Sequence, residues 1–394
     1  MSRNRWVLTD VSNRVHIDKV DLGPAELGDS FGGCHIQKQT LHGGLANGID
    51  VIDVDAGSCQ LTLLPTRGMA IWKAHVGEVK LGWKSPLVGP VHPSFVPVDE
   101  PSGLGFLCGF DEFLTRCGLY SNGAPEFDDQ GNVKSPLHGW VGNRPAHRVE
   151  VSTDTQSGEM VIEGEVDDSR FHLWKLRLIS TLRVRPGEAG FRVTDRIVNL
   201  SNGPQTAQLL YHVNYGAPLL EQGSRLIAPI QTMAPRDARA VEDLEHWNLY
   251  KAPDPNYTEQ CYFFDLAAGG DNYTQVMLCN ADANRGVGMR FRKDQFPCFT
   301  QWKNTVGEGD GYVTGLEPAT NFPNARSFEA ERGRVLNLPP HGSSEFELEF
   351  RGLASAAEVR TTADQIADLQ KTVEPTIHSQ PVVDWCGAPP SFDE

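Results

Sequence analysis

The stretch Glu345-Phe-Glu-Leu-Glu-Phe-Arg351 decides the fold class, because apolar and polar residues alternate along it. A period of two is typical of a strand whose sheet has one buried and one solvent-exposed face. The segment Phe191–Val198 has a related alternation. Further strands are predicted at Ile49–Asp55, Met160–Val166 and Phe171–Val184. The chain is therefore expected to consist mainly of β-structure.

Turn signals such as Ser201-Asn-Gly-Pro204 recur between these strands, and the chain contains 39 Gly and 26 Pro. Many short strands separated by turns predict an all-β fold, built as a large antiparallel β-sandwich with few short helices. Helical spacing is confined to residues 355–373, where Ser355 can cap the first turn. No Ser/Gly linker divides the chain, which predicts a single domain over residues 1–394 that ends in this helix and an extended tail (374–394).

Composition restricts the class of partner. With 35 Lys and Arg against 51 Asp and Glu, the formal net charge is −16. Nucleic acid and anionic membrane surfaces both require a basic face, so neither is the expected partner. No run of about 18 apolar residues occurs that could span a bilayer. A neutral small molecule is the expected ligand, and the sequence does not specify an oligomeric state.

Cysteine usage and the N-terminus bear on location and metal content. The eight cysteines are scattered and form no C-x-x-C pair, which argues against a zinc cage. No apolar stretch follows the first five residues, so no signal peptide is expected. The protein is therefore expected to be cytoplasmic.

Three separated segments carry candidate chemistry. Glu317 follows an apolar run and precedes Pro318, which is expected to end the strand and direct the carboxylate into a cleft. His138 precedes Gly139, which permits close backbone approach to a ligand. His212 lies in an apolar strand, where a period of two puts it on the same face as Asn214. Taken alone, the His138 segment favours a loop histidine that bonds its neighbours, and the His212 segment fits a satisfied core histidine equally well.

Two histidines and a carboxylate allow two chemistries. One is proton transfer, in which one group removes a proton from an oxygen while another group protonates a second oxygen. The other is a metal site with two histidines and one carboxylate as ligands. The wide sequence separation of the three residues favours proton transfer.

Several other side chains are candidates for substrate binding. The guanidinium of Arg67 could bind ligand hydroxyls or a carboxylate, with a structural ion pair as the equal alternative. Asn214 is placed in the pocket because it shares the His212 face. Trp302 could stack on the ring of a ligand, with core packing as its alternative, and Lys303 follows it directly. Arg116, which is near Asp111 and Glu112 in sequence, is expected to be structural.

The three catalytic candidates occur in motifs that resemble those of galactose mutarotase. They are Leu-His138-Gly followed by Asn143-Arg144, Tyr-His212-Val-Asn-Tyr, and Gly-Leu-Glu317-Pro-Ala-Thr. The chain more closely resembles the aldose 1-epimerase-like family known as a domain of unknown function. The segments that carry this resemblance are Leu64–Met69, Leu81–Pro86, Phe113–Leu119 and Pro297–Lys303. Together the motifs cover roughly residues 30 to 355.

The resemblance implies a β-supersandwich fold and an enzyme that interconverts the α and β anomers of a hexose or modified sugar without a cofactor or a bound metal. It implies that Glu317 is the general base on the anomeric hydroxyl and that His212 protonates the ring oxygen. His138 would bond the ring oxygen or a neighbouring hydroxyl, and Arg144 would join the substrate-binding set. The family's sugar-gripping aspartate has no clear match, and Glu259 is the candidate for that role. The scheme needs a carboxylate with a raised pKa and a histidine that protonates near neutral pH.

Two alternative functions remain at the level of sequence. The scaffold could bind a sugar without turnover, because fold alone does not determine function. The same three residues could also serve a metal-dependent sugar isomerase or lyase.

Overall fold

The computed structural model describes residues 3–387, and they form two large β-sheets. The strands are β1 (Arg3–Asp10), β2 (Val15–His16), β3 (Val20–Leu22), β4 (His35–Thr40), β5 (Asp50–Asp55), β6 (Cys59–Leu64), β7 (Ala70–Val76), β8 (Val79–Leu81), β9 (Leu114–Leu119), β10 (Glu126–Phe127), β11 (Val133–Ser135), β12 (Arg148–Asp154), β13 (Glu159–Ser169), β14 (Lys175–Val184), β15 (Gly190–Asn199), β16 (Gln205–Tyr215), β17 (Arg225–Ile227), β18 (Ile230–Pro235), β19 (Gln260–Leu266), β20 (Tyr273–Cys279), β21 (Gly286–Arg292), β22 (Cys298–Asn304), β23 (Val313–Ala319), β24 (Leu336–Leu338), β25 (Ser343–Leu353) and β26 (Thr376–Ile377).

Helices are short, apart from the last one. The α-helices are α1 (Pro24–Leu27), α2 (Ala238–Val241), α3 (Arg326–Glu331) and α4 (Ala356–Gln370). Short 3-10 segments occupy Asp29–Phe31, Gly44–Ala46, Pro93–Phe95, Gly105–Gly109, Val141–Asn143, Leu244–His246 and Glu308–Asp310. Within residues 3–387, no helix has the length and apolar character needed to cross a bilayer.

The sheets confirm the predicted antiparallel sandwich. One has ten strands in the order β17-β20-β21-β25-β15-β14-β13-β12-β1-β2. The other runs β26-β18-β19-β22-β23-β16-β9-β7-β6-β5-β4-β3, with β24 beside β16 and β8 beside β7. Strands β10 and β11 form a separate pair. The short β26 pairs with β18 in parallel, whereas the pairs along the two large sheets are otherwise antiparallel.

Period-two patterning located the strands well but misplaced one boundary. Strands β5, β13, β15 and β25 contain nearly all of their predicted segments. The long strand expected from Phe171 to Val184 begins only at Lys175. Phe171 and Leu173 lie in the turn between β13 and β14 and are exposed, so their apolar character does not reflect burial in a strand.

The two sheets pack through an aromatic core that contains one buried ion pair. Phe113 lies 5.7 Å from Phe350 of the ten-stranded sheet, measured between ring centroids. Arg116 of β9 donates to Asp195 of β15 at 2.6 Å, and Tyr211 donates to the same carboxylate at 2.8 Å. Arg116 is therefore structural as expected, although its partner is Asp195 and not one of the neighbouring acids in sequence.

This core determines which face of β16 is available for chemistry. Tyr211, Val213 and Tyr215 belong to the core between the sheets. Because side chains alternate along a strand, His212 and Asn214 leave the opposite face of the 14-stranded sheet. The loops before β9 and after β11 cover that face, as the contacts of Phe110 and His138 with His212 show.

The C-terminal segment follows the pattern in the sequence. Helix α4 starts after Ser355, whose side chain accepts from the Glu358 N–H at 3.3 Å. Its buried side chains Val359 and Ile366 pack against β20 and β25. The expected tail includes β26 and continues to residue 387, while residues 388–394 lie outside the described residues. The single-domain organisation stays a prediction.

Candidate active site on the large sheet

Four neighbouring strands carry the central residues of the candidate site in one row. Thr300 of β22 pairs with Glu317 of β23, and His212 of β16 pairs with Thr115 of β9. The register of β16 against β23 is the same on both sides of this row, which puts His212 opposite Glu317. All four side chains therefore leave the same face of the sheet.

The strand that carries Glu317 does not end at Pro318, contrary to the sequence prediction. Strand β23 continues to Ala319, and Pro318 pairs with Phe299 of β22. Within residues 3–387, the ladder between β23 and β16 has no pair at Glu317 or Pro318. The gap in pairing with β16 accommodates Pro318, which has no N–H to donate. The gap lies where the His212 and Glu317 side chains meet.

His212 and Glu317 are in direct contact in a closed environment. His212 Nε2 lies 3.3 Å from Glu317 Oε1, and the two side chains are only 6% and 3% exposed. Gly315 makes room for this contact. A Cβ at that position would overlap Glu317 Oε1 and come within 3.0 Å of His212 Cε1.

Asn214 fixes the protonation pattern of His212. Its Nδ2 donates to the backbone oxygens of Glu112 at 3.0 Å and of His212 at 3.4 Å, which sets the orientation of the amide. Asn214 Oδ1 therefore faces His212 Nδ1, at 2.7 Å, as an acceptor. Nδ1 must then carry the hydrogen, and Nε2 presents its lone pair to Glu317.

The pKa shifts of Glu317 and His212 show which of the two side chains carries the proton between them. Burial raises the pKa of Glu317 well above its ordinary value; the Glu259 charge adds to this and Arg236 opposes it. Burial also lowers the pKa of His212 well below its ordinary value. Glu317 is therefore the protonated partner and His212 Nε2 the proton acceptor in a neutral pair whose atoms lie 3.3 Å apart. The raised carboxyl pKa agrees with the sequence scheme, but a histidine that protonates near neutral pH does not.

His138 lies beside this pair at the edge of the site. Its ring centroid is 5.2 Å from that of His212, in an edge-to-face arrangement. His138 Nδ1 faces the Asn122 carbonyl at 3.0 Å, so it carries the hydrogen and leaves Nε2 as an acceptor. Burial lowers the His138 pKa to about 4. Gly139 does permit a close backbone approach, but the approaching group is the Ser121 carbonyl and not a ligand.

Aromatic rings surround the pair, and one of them is held by Glu259. Phe110 and Trp302 lie 4.9 Å and 5.5 Å from the His212 ring, measured between centroids. Trp302 is partly exposed, and its Nε1 donates to Glu259 Oε2 at 2.7 Å. The other Glu259 oxygen accepts from Arg236 at 3.0 Å. Glu259 thus contacts the site through Trp302 and modulates the Glu317 pKa through its charge.

Lys303, an expected substrate-binding residue, lies apart from the Glu317–His212 pair. It is adjacent to Trp302 on β22 and therefore points to the opposite face of the sheet. Its Nζ is buried and donates to the carbonyls of His246, Trp247 and Leu249 at 3.2, 3.1 and 2.8 Å. Burial lowers its pKa to about 8. Lys303 anchors the loop before β19.

Arg67 forms a structural ion pair, which was the alternative to substrate binding. The side chain is fully buried and donates to Glu112 Oε1 at 2.6 Å, to Asn143 Oδ1 at 2.6 Å and to the carbonyl of Gly109 at 2.8 Å. The Glu112 carbonyl in turn accepts from Asn214. Arg67 therefore supports the residues behind His212 and has no surface left for a sugar. Asn214, which is also fully buried, orients His212 in the same indirect way.

Arg144 is exposed and lines a cavity together with Trp140 and Asn143, and neither Glu317 nor His212 is among the residues that line it. The expected set of nine residues thus divides into three groups. His138, His212, Glu317, Trp302 and Glu259 come together, Arg67 and Asn214 support them, and Lys303 and Arg144 lie elsewhere.

Sequence reasoning missed Phe110, Arg236 and Thr300. Thr300 could have been found, because it lies two residues before Trp302 and so shares its face. Its Oγ1 is buried and has no partner among residues 3–387. Phe110 and Arg236 carry no local signal. Across the described part of the chain, no cluster of three or more His, Cys, Asp or Glu side chains has the arrangement of a metal site.

The architecture is a galactose mutarotase-like β-sandwich fold. The fold is shared with a galactose mutarotase-like protein from Clostridium acetobutylicum (14% identity, TM-score 0.56, 80% of this chain and 98% of that one). It is also shared with a galactose 1-epimerase from Lactobacillus acidophilus (12% identity, TM-score 0.52, 80% and 98%). At these identities the likeness concerns the fold alone.

The family to which the chain belongs is narrower than this fold class. The chain belongs to the family described as "Domain of unknown function (DUF4432)", whose model matches residues 46–351. It is similar over nearly its whole length to a candidate aldose 1-epimerase from Klebsiella pneumoniae, with 31% identity, a TM-score of 0.92 and coverage of 97% of this chain and 100% of that one. No curated protein matches the chain. The family predicted from the motifs is confirmed.

Proposed function

We propose that the protein is an aldose 1-epimerase that interconverts the α and β anomers of a hexose or modified sugar by acid–base ring opening. The observation that carries the proposal is the buried contact between Glu317 and His212, with the tautomer of His212 fixed by Asn214. The pair holds one proton that either partner can carry. Ring opening requires one proton acceptor and one proton donor, because one sugar oxygen must lose a proton while another gains one.

The proton balance of the cycle follows from the resting pair. A shift of the shared proton from Glu317 to His212 Nε2 produces a carboxylate and an imidazolium together. Glu317 then removes the anomeric hydroxyl proton, while His212 protonates the ring oxygen as the C1–O5 bond breaks and C1=O forms. In the open-chain state, the pair is back in its resting protonation. Rotation about C1–C2 and the reverse transfers close the ring on the other face.

His138 has a narrower role in this scheme than the resemblance implied. With Nδ1–H directed at Asn122, its free Nε2 can only accept a hydrogen bond while the ring is neutral. A ring oxygen carries no hydrogen to donate, so the partner of His138 is a sugar hydroxyl. Trp302 and Phe110 supply apolar surface for the sugar ring. The cycle consists of proton transfers and of the cleavage and re-formation of the C1–O5 bond, with no net oxidation or reduction of the sugar, so the scheme requires no cofactor.

Exchange NMR and polarimetry on a panel of aldoses test the proposal. The wild-type protein should accelerate anomer exchange, and Glu317→Gln should lower kcat by about 10²- to 10⁴-fold, because an amide cannot accept the anomeric proton. Glu345→Gln, an exposed carboxylate on β25, is the matched control and should keep full activity.

Two outcomes would contradict the proposal. Full activity in Glu317→Gln would exclude Glu317 as the base. Measurable affinity for a sugar, with no acceleration of exchange by the wild-type protein, would instead identify a sugar-binding protein without turnover.

A further inference from the structure

The Glu317–His212 pair is enclosed, and three rings border it. Only 3% of the Glu317 side chain and 6% of the His212 side chain are exposed. The rings of Phe110, Trp302 and His138 lie 4.9, 5.5 and 5.2 Å from the His212 ring, measured between centroids. A ligand that exchanges protons with the pair must come within hydrogen-bond distance of both side chains. Part of this enclosure must therefore move before a ligand can bind.

Phe110 is held in place by the residue before it. Phe110 is only 6% exposed, and the carbonyl of Gly109 accepts from the buried Arg67 guanidinium at 2.8 Å. A Cβ on Gly109 would lie 2.7 Å from both Arg67 Nη1 and Val96 Cγ2, so the backbone has no free space there. Movement of Phe110 would break a buried hydrogen bond to a charged group, which is among the costlier bonds to lose.

His138 is held by main-chain groups on two sides. Its Nδ1 donates to the Asn122 carbonyl at 3.0 Å, and its backbone N–H donates to the Gly123 carbonyl at 2.9 Å. Its own carbonyl accepts from the Gly118 N–H at 3.1 Å. The imidazole also packs edge-to-face against Phe106, at 4.9 Å between centroids. His138 can therefore move only together with the loop that holds it.

Trp302 is the least restrained of the three rings. It is partly exposed, and it pairs with Gly315 of β23, which has no side chain to hold the indole in place. Its Nε1, the one polar atom of the side chain, donates to Glu259 Oε2 at 2.7 Å. The Glu259 side chain is 39% exposed, and its other oxygen accepts from Arg236 at 3.0 Å. A single hydrogen bond to another side chain thus holds the indole beside His212.

We propose that Trp302 is the gate through which a ligand reaches the Glu317–His212 pair, and that Glu259 is the positioning residue that holds this gate closed. Rotation of the indole away from Glu259 opens a path over Gly315 to both side chains of the pair, while the β22 backbone and the other two rings stay in place. The inference rests on the proposed function only for the nature of the ligand, because opening of the gate does not depend on turnover.

Labelling with diethylpyrocarbonate, resolved by residue with peptide mass spectrometry, measures how often the pair is open. The reagent acylates neutral imidazole, and burial keeps His212 neutral by lowering its pKa well below the ordinary value. The exposed His172 and His341 are internal references in every sample. In the wild-type protein, His212 should react at least about tenfold more slowly than these references, because it is labelled only from a minor open state.

Glu259→Leu should accelerate His212 labelling at least about tenfold, because the charged acceptor that holds the indole is lost. Trp302→Phe removes the donor of the same hydrogen bond and should accelerate labelling at least as much. The double variant should react no faster than the faster single variant, because both changes remove one interaction. Glu345→Leu is the matched control; it removes an exposed carboxylate on β25 and should leave the rate unchanged. Circular dichroism and the two reference histidines verify that each variant is folded.

Three results would overturn the proposal. The first is labelling of wild-type His212 as fast as that of the exposed references, and the second is an unchanged His212 rate in both Glu259→Leu and Trp302→Phe. The third is a double variant whose acceleration is the product of the two single ones, since Glu259 would then not act through Trp302. Slow wild-type labelling that both variants accelerate, without anomer exchange of any aldose, would support the gate and reject the epimerase proposal.

Discussion

At the scale of single residues, a buried amide decides which atoms of the site can donate protons. Asn214 donates to two carbonyls, so its oxygen must face His212. That contact places the histidine hydrogen on Nδ1 and directs the Nε2 lone pair at Glu317. Two partners with oppositely shifted pKa values then share one proton. Because their titrations are coupled, the apparent values belong to the pair.

Asn214→Leu tests this assignment. Loss of the amide frees the His212 ring to adopt the other tautomer, so kcat should fall about 10- to 100-fold, as is usual for residues that orient a functional histidine. The imidazole ¹⁵N shifts of His212 should change from a protonated Nδ1 to a mixture. Asn337→Leu, an exposed amide on β24, is the control. An unchanged ¹⁵N pattern in Asn214→Leu would mean that another contact sets the tautomer.

At the scale of elements, the site depends on the spacing of two antiparallel strands. Glu317 and His212 meet over Gly315, the residue two positions before the carboxylate on β23. The strand needs a glycine there because the space is used by neighbouring side chains and not because of an unusual backbone angle. A glycine is thus required on β23 for steric reasons, at the point where Glu317 and His212 meet.

Gly315→Ala should inactivate the protein without unfolding it. The added methyl group overlaps Glu317 Oε1 and displaces the carboxyl group, and a displacement of about 1 Å can cost about 10²-fold in rate. Gly288→Ala on β21 is the control, since its nearest neighbour is the end of the flexible Gln275 side chain at 3.2 Å. Equal kcat for the two variants, measured with unchanged circular dichroism, would show that the pair tolerates the displacement.

The strands show which features of the site the sequence specifies and which features it does not. Period two correctly placed His212 and Asn214 on one face, because that relation is local to β16. The partnership with Glu317 depends on register across strands, and it was reached only through the family motifs. Trp302 and Lys303 were both assigned to the site, yet adjacent strand residues must diverge, and the sequence does not say which of the two faces the ligand. Arg236 was missed because only tertiary packing brings it to Glu259.

At the scale of the whole molecule, one sheet serves two purposes on its two faces. The inner face packs against the ten-stranded sheet through residues such as Phe113 and the buried Arg116–Asp195 pair. The outer face buries Glu317 and His212 among aromatic rings. Burial of ionisable groups costs stability that the core must offset, which is the usual trade-off at an active site. The cost is measurable as a dependence of unfolding on pH.

Glu317→Gln should therefore stabilise the protein increasingly as the pH rises. The folded-state pKa of Glu317 lies above its ordinary value of 4.5, so above that pH the unfolded chain has lost a proton that the folded protein retains. Wild-type stability consequently falls with pH, by up to about 1.4 kcal/mol per pH unit, until the folded pKa is passed. A glutamine at this position has no titrating proton, and its amide can still donate to His212. The lowered pKa of His212 contributes to the pH dependence of unfolding in both proteins.

Urea unfolding of the wild-type protein, Glu317→Gln and the exposed control Glu345→Gln across a pH series measures this difference. The free energy of unfolding of Glu317→Gln minus that of the wild type should increase with pH between 4.5 and the folded pKa of Glu317. The same difference for Glu345→Gln should not change with pH. An advantage that does not vary with pH would mean that Glu317 is ionised in the folded protein. The shared-proton pair, and with it the proposed order of proton transfers, would then be wrong, because His212 would face a carboxylate from the outset.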